Sequence, residues 1–529
     1  MHHAPRILPL QTVLAMCLMM SPLPSLSGQA QADLPPVGRS RFDLLVGNTP
    51  VPYPFPRLVN LINRQMQTDA SGLPPLKLTL IPLGRSLQRE AGAPDYFHFP
   101  RVVAAADGIS KPGIPPLKDR LFLGFHEKGE VIEVISYNDT AGRFEFQVVR
   151  DYRAGKTPQV FYARRSLCLA CHQNAAPIFA RPLWDETPAN PAIAARLRAA
   201  RSDFYQVKLT GTDIAYFIDT ATDRANLFSV WQTLWQSGCG QGTAGDRCRM
   251  QVFAAALDYA RSGTLPAPGD LPTLDSGWKT RWPHGLALPN PDLPNRDPLA
   301  SLQDPANDPL LLRPPLDTWH APDKTAFVVG LAGMLDAHAV KQLKATDLSA
   351  PLERLRTRGA LAARPFGHDL LDTLLAELGA PRRIRPLSLS PARMEPASAT
   401  AEAGPLVAPF RTHCASCHDT TLPHPPNFLR GSPAEVEAKL EHCAPRMFVR
   451  LSMAGVPESA HSKPPMPPAA ALASRGIDPV HWAASPELAV LKRLVASRLR
   501  GQDPASLLRQ PYAQLRPCLP PSSYAERAQ

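Results

Sequence analysis

The sequence lacks an apolar run of the ~20 residues that a membrane-spanning helix needs. Its best candidate, Ile7–Met20, is shorter and is broken by Pro9, Gln11 and Thr12. No membrane span is expected in the mature chain. Long Lys/Arg runs are also missing, although the net charge is +11. Nucleic acid is met by clustered cations, so the scattered charge argues against it as a partner. No internal repeat occurs apart from one pentapeptide, taken up below. Charged residues are only 19% and apolar residues 44%, a balance that supports an ordinary packed core.

Proline is abundant, at 61 of 529 residues. Each proline fixes φ and removes a backbone donor. Short helices joined by rigid connectors are therefore expected. Residues 1–32 read as a cleaved export signal. His2, His3 and Arg6 open it, the run Ile7–Met20 follows, and Ala30-Gln31-Ala32 supplies small residues at its end. This predicts a periplasmic protein. The alternatives, a membrane anchor or a lipid-modified Cys17, fit less well, because the run is short and Met16 precedes that cysteine.

Three structural regions are expected after the signal. Residues 33–165 are strand-rich. Leu76–Ile81 alternates, and Val131–Tyr137 and Arg143–Val149 form a hairpin about the turn Asn138–Gly142. Residues 166–380 turn to helical periodicity at Asp223–Gln236, Asp246–Ser262, Asp323–Ala345 and Gly367–Gly379. Three of these begin at aspartate, a good N-cap. Between them, residues 263–322 read as a long irregular loop. Residues 381–404 are rich in proline, alanine and serine and read as a linker. Residues 405–529 form a helical unit. Ser432-Pro433-Ala434-Glu435 has capping-box spacing there, and Ser485-Pro486-Glu487 opens the last helix. The fold class is α+β.

The nine cysteines can be assigned one by one. Cys17 lies in the signal. Four belong to two copies of Cys-x-x-Cys-His: Cys168, Cys171 and His172, then Cys414, Cys417 and His418. Cys239, Cys248, Cys443 and Cys518 remain. An even remainder in an exported chain suggests disulfides. Of the three pairings, Cys239–Cys248 and Cys443–Cys518 are favoured, because each stays on one side of the linker.

Cysteines at i and i+3 share one face of a helix. From there each sulfur can add to a vinyl group of a porphyrin. The adjacent histidine then faces the iron. The motif thus predicts two covalently bound haems c, with His172 and His418 as iron ligands. A zinc site drawing on both copies is the alternative. The copies are 243 residues apart (414 − 171), whereas structural zinc pairs usually lie closer.

Lys463-Pro464-Pro465-Met466-Pro467-Pro468 sets a methionine in a rigid frame after the second motif. With the motif helix before it and a helix after it, residues 405–510 resemble a class I cytochrome c domain. The resemblance covers about a fifth of the chain. It implies an all-α domain with His418 as proximal ligand and Met466 as distal ligand. Met447 and Met453 keep helical spacing and read as core. No such methionine loop follows His172, and Met250 and Met334 read as core. His98, His126, His284, His320 and His338 are the candidates for the missing ligand. Arg181 and Trp184 are candidates for contact with the porphyrin. Asp185 and Glu186 are weak candidates for a general acid, with helix-start charge as the alternative.

These observations favour an electron carrier that docks an acidic redox protein through its basic surface. A dihaem peroxidase or oxidase with an open first iron is the alternative. A sensor whose N-terminal sheet holds a ligand is a third reading.

Overall fold

The computed structural model describes residues 36–518 except 69, 71, 85, 170–171, 173–175, 178–185, 210–211, 268, 291–296, 301–315, 321–322, 344–345, 363, 381–387, 396–403, 421–424 and 474. The expected export signal lies outside the described residues. Two helices open the described chain, α1 (Arg41–Val46) and α2 (Phe55–Gln65). Ser40 caps α1, its hydroxyl accepting the Asp43 amide at 3.1 Å. In α2, Phe55, Leu58 and Ile62 recur at three- and four-residue steps and are buried together.

Six strands follow: β1 (Leu76–Ile81), β2 (Arg101–Ala106), β3 (Leu121–His126), β4 (Val131–Asn138), β5 (Arg143–Arg150) and β6 (Gln159–Tyr162). They form one antiparallel meander in sequence order. The expected hairpin is β4–β5, closing with Asn138 opposite Arg143. On one face Leu76, Ala104, Leu123, Val134 and Val149 pack with residues of α1 and α2. On the other, Val103, Ala105, Phe122, Tyr137 and Phe144 pack under the helices that follow. The central strands β2 and β3 are thus covered on both sides. That is why they read as unbroken apolar runs rather than alternating ones.

The next helices are α3 (Arg165–Leu169), α4 (Pro191–Ala200), α5 (Thr212–Asn226), α6 (Phe228–Thr233), α7 (Gly242–Ser262) and α8 (Pro272–Arg281). After the short strands β7 (Leu286–Leu288) and β8 (Asp317–Trp319) come α9 (Lys324–Gly333), α10 (Ala337–Gln342), α11 (Ser349–Thr357) and α12 (His368–Glu377). Three expectations change. The single helix expected over Asp223–Gln236 is divided among the end of α5, α6 and a π-helical turn at Leu234–Gly238, and α5 itself starts at Thr212, where the buried stripe Ile214, Ile218, Ala221 and Ala225 begins. The helix expected over 323–345 is two helices: Asp323 caps the first and Asp336 caps the second. The irregular 263–322 segment holds α8 and the β7–β8 pair, whose Trp278 and Trp319 join the helical core.

The last unit contains α13 (Ala408–His418), α14 (Pro433–Ser452), α15 (Ala469–Ala473), α16 (Pro479–Ala483), α17 (Pro486–Ala496) and α18 (Pro504–Arg509). The Ser432–Glu435 capping box is complete, and Ser485 caps α17. Pro445 sits inside α14 and cannot bond the carbonyl of residue 441. The Arg516 guanidinium donates there instead, at 2.7 Å to the His442 carbonyl and 3.4 Å to the Glu441 carbonyl. The tail that carries Arg516 is joined to α14 by Cys443–Cys518. Cys239–Cys248 closes the turn before α7. The chain is α+β as expected. Among the described residues no helix is long and apolar enough to cross a membrane.

Part of the expected linker is structured. Met394 bridges Tyr162 in parallel, and the Glu395 amide donates to the Tyr162 carbonyl at 2.8 Å. Residues 388–395 therefore run along the β6 edge as a strap. Ser390 and Asn48 fix its other end.

A buried ion cluster joins α1, the β4–β5 turn and α12. Arg41 pairs with Asp139, which also accepts the His368 amide. Burial opposes ionisation of Asp139, but Arg41, Arg120 and His368 outweigh it and hold its carboxyl below the usual range. Removing one member of a buried pair strands the other. Asp139→Ala is expected to destabilise the fold by about 3–5 kcal/mol, read from urea unfolding. A loss under about 1 kcal/mol, within the range of surface ion pairs, would show that the cluster is not a structural tie.

Candidate functional site

The second motif occupies the end of α13. Phe410, Leu440, Leu491 and Val495 bury the contact of α13 with α14 and α17. This leaves Cys414, Cys417 and His418 along the last two turns. His418 is buried, and its ring stacks on Phe428 at 4.2 Å between centroids. Its Nδ1 donates to the Pro426 carbonyl at 2.7 Å. A carbonyl can only accept, so the hydrogen is on Nδ1 and Nε2 carries the lone pair. Burial, with a smaller push from Arg450, brings the His418 pKa down to about 4, so the ring is neutral at neutral pH. Burial, with a smaller effect from Cys417, pushes the Cys414 thiol up to about 12.

Of the first motif, Cys168 lies on α3, and the His172 amide donates to the Cys168 carbonyl at 2.9 Å. His172 rests against Phe146 of β5, with centroids 5.2 Å apart. Its Nδ1 faces the Ala176 carbonyl at 3.0 Å. The tautomer is therefore the same as at His418. Arg165 lies over the other side of this corner, 5.5 Å from the Phe146 centroid, and pairs with Glu145 at 3.1 Å. Cys171, Arg181, Trp184 and Asp185 lie outside the described residues. Glu186 is buried, with its carboxylate beside Gly84 after β1. Phe146 belongs to β5, four strands across the sheet from β1, or roughly 19 Å at the usual spacing.

Met466 is held by its backbone. Its amide donates to the Arg450 carbonyl at 3.1 Å, and the Arg450 side chain donates to the Pro464 carbonyl. Arg450 also acts electrostatically on His418, so one residue serves both. Arg446, Arg450 and Lys463 surround the Tyr512 ring, at 4.8, 5.8 and 5.9 Å. Met447 and Met453 belong to the apolar core of the module, and Met334 to that of the helical region. Met250 packs against the latter.

The histidines considered for the first iron are placed elsewhere. His98 faces the Ala200 carbonyl, and His338 the Ser110 carbonyl. His284 and His320 are exposed near the β7–β8 pair. His126 closes the β3–β4 turn: its Nδ1 accepts the Gly129 amide at 3.0 Å and its ring bonds the Phe99 backbone.

A covalently held haem requires an oriented imidazole, flanking apolar surface and donors for its two propionates. The residues present fit those needs. The buried donors without a hydrogen-bond partner include Arg164 Nη2, Arg450 Nη2 and Trp482 Nε1, which lie on or beside the two motif regions. Arg164 lies four residues before Cys168. Trp482 packs on His413, its ring 5.0 Å away, beside Cys414. Phe146, Phe428, Arg164, Arg450 and Trp482 were not singled out in the sequence. They lie far from the motifs or carry no spacing signal, although a lone tryptophan next to a cap, as in Asp478–Trp482, was available to be read. No group of three or more His, Cys, Asp or Glu side chains gathers as a metal site among the described residues. No protein family, curated protein or solved structure matches the chain.

The His126 bonds need a neutral ring. Burial, reinforced by Arg101 and Lys128, lowers its pKa to about 4. Between about pH 6.5 and pH 4 the unfolded chain binds a proton that the folded chain does not. Stability therefore falls as pH drops through that window, by up to about 3 kcal/mol from this group, and levels off below it. His126→Gln keeps an acceptor and a donor without titrating. It should flatten the acid limb of a stability–pH curve from chemical denaturation. An unchanged slope would show that His126 is not the group responsible.

Proposed function

We propose that the chain is an exported c-type cytochrome that carries two covalent haems and transfers electrons. The observation that carries this reading is the repeated arrangement at the two pentapeptides. In both, the histidine turns Nδ1 to a main-chain carbonyl. That presents Nε2 as the ligand nitrogen, oriented as metal-binding imidazoles are. Cys168, Cys171, Cys414 and Cys417 would tether the two porphyrins through thioethers. His172 and His418 would each supply a ring nitrogen to one iron.

Met466 would supply the second protein ligand at the second site, its backbone fixed by the Arg450 carbonyl and its four flanking prolines. Bound haem supplies a one-electron couple between ferric and ferrous iron. Methionine ligation favours the reduced form. The protein's part is to keep water from the iron, fix the ligands and offer donors to the propionates. The net charge of +11 suits an acidic redox protein as the docking partner.

Mass spectrometry and a pyridine haemochrome spectrum of exported protein should count two covalent haems. Colourless protein, or four motif sulfurs on zinc, would end this reading. Met466→Ala should lower the potential of one haem and leave the other in place. Equal shifts in both would show that Met466 is not the ligand. Low-spin iron throughout both redox states is expected of a carrier. A high-spin ferric band that moves with cyanide would instead mark an open first iron and an oxidase or peroxidase.

A further inference from the structure

We propose that the two haem motifs form one coupled pair at a shared interface, rather than two independent centres. This rests on the reading of both motifs as haem sites. The motifs are 243 residues apart in sequence (414 − 171) and fall in different structural regions. Even so, α3, which carries Cys168, lies with Cα atoms within 8 Å of β5, α13 and α15. Because α3 has only five residues, every point on it lies within about 5 Å of Cys168 along the helix axis.

Charges on the neighbouring segments act across the same region. Arg475, shortly after α15, acts electrostatically on both His413 and Cys414. Thus α3 touches a helix whose end faces the first cysteine of the second motif. The segment after His418 also acts on β5. The Leu429 amide donates to the His418 carbonyl at 3.0 Å. The next residue, Arg430, acts electrostatically on Arg150 of β5. Arg150 lies four residues along β5 from Phe146, on the same face, and Phe146 packs on His172. The strap brings the chain to this corner, since Glu395 pairs with Arg150.

A porphyrin tethered by thioethers cannot move far from its cysteines. Two porphyrins tethered through cysteines on neighbouring helices would therefore be held near each other. So held, the pair would supply a one-electron exchange between ferrous and ferric states, with no bond made or broken. The second centre is then the redox partner of the first. An external protein needs to reach only one of them.

The test uses the full-length holoprotein, with haems counted by mass. Intact protein should show a bisignate circular dichroism couplet in the Soret region. The couplet should exceed the sum of the spectra of Cys168→Ala/Cys171→Ala and Cys414→Ala/Cys417→Ala proteins. A measurement without variants guards against misfolding: at half-reduction the two absorption bands no longer coincide, and the couplet should collapse and then return on full reduction. Two haems by mass with no couplet in either uniform redox state, or with a spectrum equal to the sum of the single-haem forms, overturns the pairing alone. Fewer than two haems by mass overturns the functional reading and the pairing with it.

Discussion

An imidazole ring has a fixed orientation and tautomer when one of its two nitrogens is held by a hydrogen bond. Both motif histidines meet that constraint in the same way, by donating to a main-chain carbonyl. The surrounding architecture serves it. At His418 the carbonyl belongs to Pro426, in a segment fixed by the Leu429 amide returning to the His418 carbonyl. At His172 the ring is set against a strand of the central sheet. The first site thus borrows rigidity from a sheet buried on both faces, and the second from crossed helices.

What could be read in the sequence follows from how local each signal is. The pentapeptides, the capping box at Ser432 and the β4–β5 hairpin are contiguous patterns, and they stand out. The strands β2 and β3 escaped because both their faces are buried, which removes alternation. The split between α9 and α10 needed attention to Asp336 as a second cap. The strap was misjudged for a different reason: its composition is that of a linker, but pairing along β6 uses backbone groups, which composition does not reveal. The same holds at the sites. The carbonyls of Ala176 and Pro426 leave no side-chain trace, and Phe146 and Phe428 are brought in by the fold.

The C-terminal module shows how a long helix with an internal proline is kept intact. Pro445 leaves a gap in the α14 ladder, and the tail fills it through Arg516, with Cys443–Cys518 holding that tail in place. Tyr512, on the same tail, gathers the cations next to the Met466 frame. Arg446 adds a bond to the Leu515 carbonyl at 2.8 Å. Stability of the helix and placement of the methionine loop therefore depend on one short segment.

The strap also bears on how the chain assembles. Each strand of the meander pairs with its neighbour in sequence, so the sheet can zip up from short hairpins early in folding. Its last edge is different. Tyr162 waits for Met394, 232 residues downstream (394 − 162). Until that stretch arrives, β6 offers an open row of amides and carbonyls, the kind of template on which stray strands stack into aggregates. A chain interrupted before residue 388 would keep its sheet but lose the seal on it.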